Sequence, residues 1–168
     1  MIRTRGKAAA DVGLISDTHG LLRPVALEAL RGSDLIIHAG DIGNGDVIEQ
    51  LSRVAPVTAV RGNNDKGAWA AELRDTEVLS VAGVRICVIH DLAQLDVDPV
   101  AAEFDAVVSG HSHRPHISER NGVLFVNPGS AGPRRFSLPV SVGHLVISGG
   151  IIRPRLLTLD VQSSVSMP

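Results

Sequence analysis

Short apolar runs alternate with amphipathic segments in the first part of the chain. Apolar runs that end in polar residues predict three buried strands, at residues 11–17, 34–41 and 57–65. Between these runs, residues 23–32 and 45–55 predict two helices, with Pro24 suited to a first helical turn and Gly32 to a stop. An order of strand, helix, strand, helix, strand is typical of a sheet that starts parallel.

The pattern changes to hairpins in the second part of the chain. Three hairpins are predicted, at residues 76–91, 116–130 and 138–160. Their turns are predicted at Ala82–Gly83, at Asn121–Gly122 and at Gly149–Gly150. Residues 97–104 predict a further helix and residues 105–113 another short buried strand. We therefore expect an α/β fold of two mixed sheets packed face to face, with too few helices for a doubly wound fold.

Composition narrows the class of protein. A chain of 168 residues with 44% hydrophobic and 20% charged residues predicts one globular domain over 1–168, with flexible ends at 1–10 and 161–168. The net charge of -2 does not indicate a nucleic-acid or membrane partner. The single cysteine, Cys87, excludes a disulfide framework, and we expect it to be buried. With no signal peptide or long apolar run evident, we expect a soluble, cytoplasmic protein.

Polar side chains follow the apolar part of five predicted strands. They are Asp17, His19, Asp41, Asn63, Asp65, His90, Asp91, His111 and His113. Ligands of α/β proteins bind beyond the carboxyl ends of strands, so these side chains predict one site. Imidazole together with carboxylate and amide oxygen suits Mn, Fe, Zn or Ni. Seven or so ligands exceed one tetrahedral ion and favour two ions ~3.5–4 Å apart with a bridging carboxylate.

Five short motifs in this order resemble those of a known family. They are "DTH" at 17–19, "GD" at 40–41, "GNND" at 62–65, "H" at 90 and "GHSH" at 110–113. The sequence resembles the calcineurin-like metallophosphoesterases, and most of all their small single-domain YfcE-like phosphodiesterases. The segment "NPGS" at 127–130 is similar to a loop of that subgroup. One such motif is a weak signal, whereas five in the right order are specific.

The resemblance implies a fold, a ligand set and a reaction. The fold is a four-layer αββα sandwich. The first metal is assigned to Asp17, His19 and His113, the second to Asn63, His90 and His111, and the bridge to Asp41. The implied reaction is hydrolysis of a phosphodiester by a hydroxide that bridges two divalent metal ions, Mn before Fe, Ni or Zn. We expect Asp41, Asn63 and His90 to take part in catalysis.

Two positions depart from the family pattern. The phosphomonoesterases of the superfamily carry a histidine directly after the asparagine, where this chain has Asn64. Without that acid, diesters with good leaving groups are expected to be preferred over alkyl monoesters. Asp91 stands where the family usually has glycine, and it could repel an anionic substrate, tune a metal ligand or begin the next loop. Arg61 and Arg114 could each bind a phosphate anion or be solvated at the surface.

Two further residues near the motifs have expected structural roles. We expect His38 to support the ligands from behind, and Asp65 to cap the turn that follows it. The expected partner is a small phosphodiester, with cyclic nucleotides first, and the late strands offer an edge for a homo-oligomer. The alternatives are a non-catalytic partner-binding scaffold of the same fold, which loses the ligand set, a phosphomonoesterase, and a nuclease, which the composition supports little.

Overall fold

The computed structural model of the chain describes residues 2–3 and 8–161, with side chains from residue 8 onward. Of the predicted flexible ends, residues 1, 4–7 and 162–168 lie outside the described residues, whereas residues 2–3 and 9–10 belong to strands. Within them, the strands are β1 Ile2–Arg3, β2 Ala9–Ile15, β3 Leu35–His38, β4 Val57–Ala59, β5 Thr76–Val81, β6 Val84–Ile89, β7 Ala106–Val108, β8 His116–Arg120, β9 Val123–Asn127, β10 Ser141–Ser148 and β11 Ile151–Thr158. The helices are α1 Pro24–Ala29, α2 Gly45–Ser52 and α3 Ala68–Ala71.

The strands form two mixed sheets. The six-stranded sheet has the order β1-β5-β6-β7-β9-β8, and the five-stranded sheet has the order β11-β10-β2-β3-β4. Strands β2, β3 and β4 are parallel, as are β6, β7 and β9. The three predicted hairpins form antiparallel pairs, and β10 also pairs antiparallel with β2. The predicted α/β fold of two mixed sheets is therefore confirmed.

The core lies between the two sheets and beneath the helices. Val12, Leu14 and Ile37 of the five-stranded sheet pack with Ile86 and Val108 of the six-stranded sheet in one buried cluster. A second cluster lies on the outer face of the five-stranded sheet, where α1 and α2 bury their apolar sides. This packing follows from parallel strands that are apolar on both faces. Among the described residues, no helix has the length and apolar character needed to cross a bilayer.

The outer face of the six-stranded sheet is covered by turns. The helix predicted at 97–104 is wrong, because the segment forms turns whose backbone bonds differ in spacing. Ala102 N–H donates to Asp98 C=O, Glu103 N–H to Val100 C=O and Phe104 N–H to Pro99 C=O. Glu103 then has a φ of 59°, which ends the helical path. Phe104 nevertheless packs with buried Cys87 and Phe125, so the segment covers the sheet without being helical.

Candidate metal centre

The predicted site residues meet at one rim of the sandwich. The loops after β2, β3 and β4 approach it from one sheet, and the loops after β6 and β7 approach it from the other. Backbone bonds fasten these loops together: Asp17 N–H donates to Gly40 C=O at 3.0 Å, and Gly110 N–H donates to His90 C=O at 2.9 Å. The structure therefore brings the polar ends of strands from both sheets to the same place.

The loops hold several of these residues in an unusual backbone conformation. Positive φ angles occur at Asp17 (54°), His19 (46°), Asp41 (55°), His111 (69°) and His113 (62°). A residue with a Cβ pays for the left-handed region with steric strain, and such strain persists where the surroundings enforce it, often at functional sites. The strands accordingly end earlier than predicted: β3 stops at His38, before Asp41.

Glycines let the loops approach this closely. A Cβ at Gly62 would collide with the backbone and carboxylate of Asp41, and one at Gly110 would collide with the Ser16 hydroxyl. Neither position has room for a side chain: Gly62 lies against the neighbouring loop of its own sheet, and Gly110 lies against a loop of the other sheet. The glycines of "GNND" and "GHSH" thus have a packing reason within this site.

Asp17 is the centre of one side-chain cluster. Its Oδ1 atom lies 3.2 Å from His113 Nε2, 3.9 Å from His19 Nε2 and 4.0 Å from His90 Nε2. The carboxylate is fully buried, and Oδ1 has no hydrogen-bond donor among the described residues. The other oxygen, Oδ2, accepts from Ser16 Oγ–H at 2.7 Å and from His111 N–H at 3.1 Å. A buried carboxylate oxygen without a donor is costly, and a cation is a natural partner for it.

Asp41 lies between the two groups of histidines. Its Oδ2 atom is 3.4 Å from His90 Nε2 and 3.8 Å from His19 Nε2. Burial by itself raises the pKa of the Asp41 carboxyl, but bonding with His90 and the hydrogen bond from Asn64 N–H outweigh burial, and the pKa falls well below its ordinary value. Asp41 is therefore an anion at neutral pH, placed to serve both groups.

Asn63, His90 and His111 form a second cluster. The Asn63 Oδ1 atom lies 3.0 Å from His90 Nε2 and 3.2 Å from His111 Nδ1. His90 Nδ1–H donates to Ala39 C=O at 2.7 Å, which directs the Nε2 atom into the site. Burial opposes protonation of His90, yet the nearby Asp41 carboxylate prevails and the pKa of the imidazole is raised. The cluster thus places an amide oxygen and imidazole nitrogens close together, beside a carboxylate that favours positive charge.

These two clusters fit divalent cations. Asp17, His19 and His113 offer ligand atoms that all lie within 4.8 Å of one another, and so do Asp17, Asp41 and His90. The donors are imidazole nitrogens and carboxylate oxygens, which suit Mn, Fe, Ni or Zn. All seven residues predicted as ligands lie at this rim, and His111 is the most exposed imidazole in it, with 47% of its side chain accessible.

A neutral histidine lies beneath the centre. His38 is fully buried, and desolvation is the largest reason that its pKa falls from 6.5 to about 3. Its Nδ1 atom accepts from Gly40 N–H at 3.2 Å, so Nε2–H donates to Thr18 Oγ1 at 3.0 Å. The Thr18 hydroxyl then donates to Ile42 C=O at 2.8 Å. This chain of bonds ties the loop of Asp17 to the loop of Asp41, in line with the supporting role predicted for His38.

Asn64 and Asp65 have roles that the sequence did not reveal. Asn64 donates from its backbone N–H to Asp41 Oδ1 and from its side-chain amide to Asp41 Oδ2, both at 2.9 Å. The prediction that Asp65 caps the following turn is wrong: its buried carboxylate accepts from the backbone N–H groups of Ile42, Gly43 and Gly62. Both residues bond to the loop of residues 41–43, which is far from them in sequence and is brought close by the pairing of β3 with β4.

The open questions about Asp91 and Arg61 are answered by their contacts. Asp91 Oδ1 accepts from Ala93 N–H at 3.0 Å and so begins a short 3-10 turn, while Oδ2 lies 3.8 Å from His111 Nε2. Asp91 thus both begins the next loop and faces a predicted ligand. Arg61 donates twice to Asp75 Oδ1, at 3.0 and 2.8 Å, and is a surface ion pair. Burial raises the pKa of the Cys87 thiol to about 11, which fits the inert, buried residue expected.

The fold and the rim of Asp, Asn and His side chains define an α/β protein with a candidate site for divalent metal ions. Residues 11–150 match the calcineurin-like phosphoesterase superfamily domain, and the chain belongs to that superfamily. It is 33% identical over 150 residues to a probable metallophosphoesterase of Methanothermobacter thermautotrophicus, covering 82% of this chain and 86% of that protein. It is 28% identical over 160 residues to the phosphodiesterase YfcE of Escherichia coli, covering 77% and 84%.

Solved structures share the fold. Vacuolar protein sorting 29 from Cryptosporidium parvum superposes with a TM-score of 0.74 at 19% identity, covering 91% of this chain and 99% of that one. At this identity the likeness extends to the fold alone. The match over residues 11–150 confirms the family resemblance inferred from the motifs. The two mixed sheets confirm the sandwich fold that the resemblance implied.

Proposed function

We propose that this protein hydrolyses phosphodiesters at a centre of two divalent metal ions. The observation that carries the proposal is the buried Oδ1 atom of Asp17, which has no hydrogen-bond donor among the described residues and faces three histidine Nε2 atoms within 4.0 Å. An anion in this position calls for a cation that its neighbours can share. Membership of a metallophosphoesterase superfamily supports the choice of reaction.

The ligands divide between two ions. The first ion takes Asp17, His19 and His113, and the second takes Asn63, His90 and His111. Asp41 would be shared by the two ions, which is supported by its Oδ2 atom lying within 3.8 Å of a histidine from each set. Imidazole and oxygen ligands suit Mn, Fe, Ni and Zn alike, and Mn is the first ion that we would test.

The protein's own residues prepare this centre for an anionic substrate. When bound, two divalent cations supply a hydroxide for attack on phosphorus and neutralise the phosphate oxygens. Asn64 fixes both oxygens of Asp41, and the His38–Thr18 bonds fix the loops on either side. His90 is oriented by its bond to Ala39 C=O. A preorganised centre of this kind needs little rearrangement during the reaction.

Diesters are favoured over monoesters because of Asn64. The family's monoesterases carry a histidine there, which can protonate the leaving group, but an amide has no such acidity. The Asn64 amide is in addition engaged with Asp41 Oδ2 at 2.9 Å. A substrate must therefore have a good leaving group or a strained ring, and cyclic nucleotides are the natural compounds to examine first. Relatives named as phosphodiesterases support this preference.

The test is an add-back assay on protein stripped with a chelator. Hydrolysis of bis(para-nitrophenyl) phosphate and of para-nitrophenyl phosphate is followed as Mn, Ni, Zn or Mg is added in turn. We expect metal-restored cleavage of the diester, weak cleavage of the monoester and no activity in Asp17→Asn or His111→Ala. Asp46→Asn, the same change at an exposed position of α2, is expected to behave like the wild type.

The proposal fails if the folded wild type cleaves the diester with none of these metals, or if Asp17→Asn keeps its activity. A metal-loaded but inactive protein would point to the partner-binding scaffold. A rate that is higher for the monoester would replace the proposed specificity while leaving the metal centre intact.

A further inference from the structure

Two cavities are lined in part by His111. The first, with a volume of about 440 Å³, is lined by Leu92, Arg114, Pro115, Arg120, Phe125 and Asn127 among others, and is called the arginine cavity here. The second, of about 700 Å³, is lined by Arg61, Asp65, Lys66, Asp75, Asp91 and Asp96 among others, and is called the acidic cavity. His111 and Asp91 line both cavities and separate them. A phosphodiester bound at the centre has two ester substituents, and each cavity offers room for one.

The two cavities differ in charge. The acidic cavity has four carboxylates against two cationic side chains, and one of those cations, Arg61, is already paired with Asp75. The arginine cavity has two guanidinium groups against one carboxylate, that of Asp91 at its border with the other cavity. A substituent with a negative charge of its own is therefore repelled by the acidic cavity and attracted by the arginine cavity.

The arginine side chains are available to a ligand. Within residues 8–161, neither Arg114 nor Arg120 lies within ion-pairing distance of a carboxylate. The Arg120 guanidinium lies over the Phe125 ring, 4.7 Å from its centre, which restrains the side chain while leaving its N–H groups free to donate. Arg114 directly follows His113 in the chain, so its backbone starts at the edge of the metal centre. Guanidinium groups bind carboxylate or phosphate through paired hydrogen bonds.

The walls of the arginine cavity are largely apolar. Leu92, Pro115 and Phe125 contribute carbon surface beside the two guanidinium groups. Small-molecule sites of roughly 300–1,000 Å³ with apolar walls and a few polar groups commonly hold drug-sized ligands. The cavity thus suits an apolar body, such as an aromatic ring, that ends in an anionic group.

We propose that the arginine cavity binds one ester substituent of the substrate, and that this substituent carries a negative charge beyond that of the diester. Arg114 and Arg120 are the residues that select this charge, and they determine specificity without taking part in the chemical step. The proposal rests on the phosphodiesterase function argued above, because it takes the centre beside His111 as the place where the phosphate binds. It makes phosphodiesters with a second, terminal anionic group the substrate class.

The test uses two diesters that differ only in charge. Both have a para-nitrophenyl leaving group, and the other substituent is para-carboxybenzyl in one and para-carbamoylbenzyl in the other. The KM and kcat of each are measured with the metal-restored wild type, Arg114→Gln, Arg120→Gln and Arg53→Gln. The last variant replaces an exposed arginine directly after α2 that lines neither cavity and is the matched control. Binding of both diesters to the chelator-stripped protein is measured by calorimetry as a readout that needs no turnover.

The wild type is expected to have a KM for the carboxylate diester about fivefold below that for the carboxamide, the range of a partly exposed charge pair. Arg114→Gln and Arg120→Gln remove this preference by raising the KM of the carboxylate diester alone, with kcat unchanged, and Arg53→Gln keeps it. The proposal is overturned if the wild type treats both diesters alike in KM and in binding, or if the variants weaken both equally. Absence of turnover of both diesters with every metal would instead contradict the phosphodiesterase function, and the calorimetry would still decide whether the arginines select charge.

Discussion

The two halves of the candidate metal centre are built differently. Asp17 and His113 lie in a buried setting, with 0% and 5% of their side chains accessible, whereas His111 in the other half is 47% accessible. Asp17 is held by its backbone bond to Gly40 and by the Ser16 hydroxyl on Oδ2. The His111 side chain contacts Asn63 Oδ1 at 3.2 Å and the His90 ring, and it lies 3.8 Å from the Asp91 carboxylate.

The difference in exposure between the two halves suggests how one rim can both hold metal and admit a substrate. Buried side chains such as Asp17 and His113 lose little freedom when a metal binds, so we expect the Asp17 half to bind its ion tightly. The His111 half borders both cavities and is open to solvent. We expect it to bind its ion more weakly and to be the side on which the substrate arrives. The following predictions break or sharpen this contrast.

The largest effect is expected at the residue that the two halves share. Asp41→Asn removes the anion that lies within 3.8 Å of a histidine from each half. Diester hydrolysis should fall by about a thousandfold or more, the scale of losing a central electrostatic group. The measurement is kcat/KM with saturating Mn, and Asp46→Asn is the matched control. A variant that retained more than about a tenth of wild-type activity would show that Asp41 is not central.

A smaller loss is expected when the support of Asp41 is weakened. Asn64→Ala removes the amide bond to Asp41 Oδ2 but leaves the backbone N–H bond to Oδ1. Removing such an outer partner of a ligand typically costs about 10–100-fold in activity or metal affinity, and we expect kcat to fall in that range. Circular dichroism checks that the fold is kept. An unchanged kcat would mean that the backbone bond alone positions the carboxylate.

A change at Asp91 should affect one half of the centre and not the other. Among the described residues, His111 is the one predicted ligand within 4.0 Å of the Asp91 carboxylate. Asp91→Asn keeps an oxygen that can accept from Ala93 N–H and begin the 3-10 turn, but removes the negative charge near His111 Nε2. We expect the affinity of the more weakly bound Mn to fall by about tenfold while the tighter one is unchanged. Paramagnetic resonance of a Mn titration gives both affinities. Equal weakening of the two ions would contradict the proposed division of ligands.

The smallest effect concerns stability and pH. His38 has a folded-state pKa of about 3, well below 6.5, so below pH 6.5 the unfolded chain takes up a proton that the folded protein does not. Stability is therefore lost as the pH falls from about 6.5 toward 3, and at about pH 5 the His38 contribution to this loss is about 2 kcal/mol. Urea unfolding of metal-free protein at neutral and mildly acidic pH should give a flatter dependence for His38→Gln than for the wild type. Parallel dependences would mean that His38 does not remain neutral in the fold.

Much of the fold follows from local sequence patterns. Apolar runs give the strands, and the pairs Ala82–Gly83, Asn121–Gly122 and Gly149–Gly150 give the hairpin turns between β5 and β6, β8 and β9, and β10 and β11. The helix predicted at 97–104 failed because a helical pattern does not reveal that the segment ends at Glu103 in a left-handed conformation. The strands predicted to reach Asp17 and Asp41 end earlier, at Ile15 and His38, because both aspartates have a left-handed backbone conformation.

The predicted metal ligands could be found from the sequence more easily than the residues that hydrogen-bond to them. Polar residues after buried strands could be placed at one rim, since the strands of a sheet present their ends together. The roles of Asn64 and Asp65 could not be found in this way, because they depend on the contact between the loop of 41–43 and that of 62–65. The same limit applies to Arg120, whose place over Phe125 comes from the pairing of β8 with β9.

The most direct test of the account is the number of metal ions that the centre binds. Chelator-stripped wild type and His111→Ala are titrated with Mn²⁺ by calorimetry. We predict two ions per chain for the wild type, with the tighter one retained and the weaker one lost in His111→Ala. A wild type that saturates with a single ion, or a variant that still binds two, would contradict the two-metal centre divided between a buried and an open half.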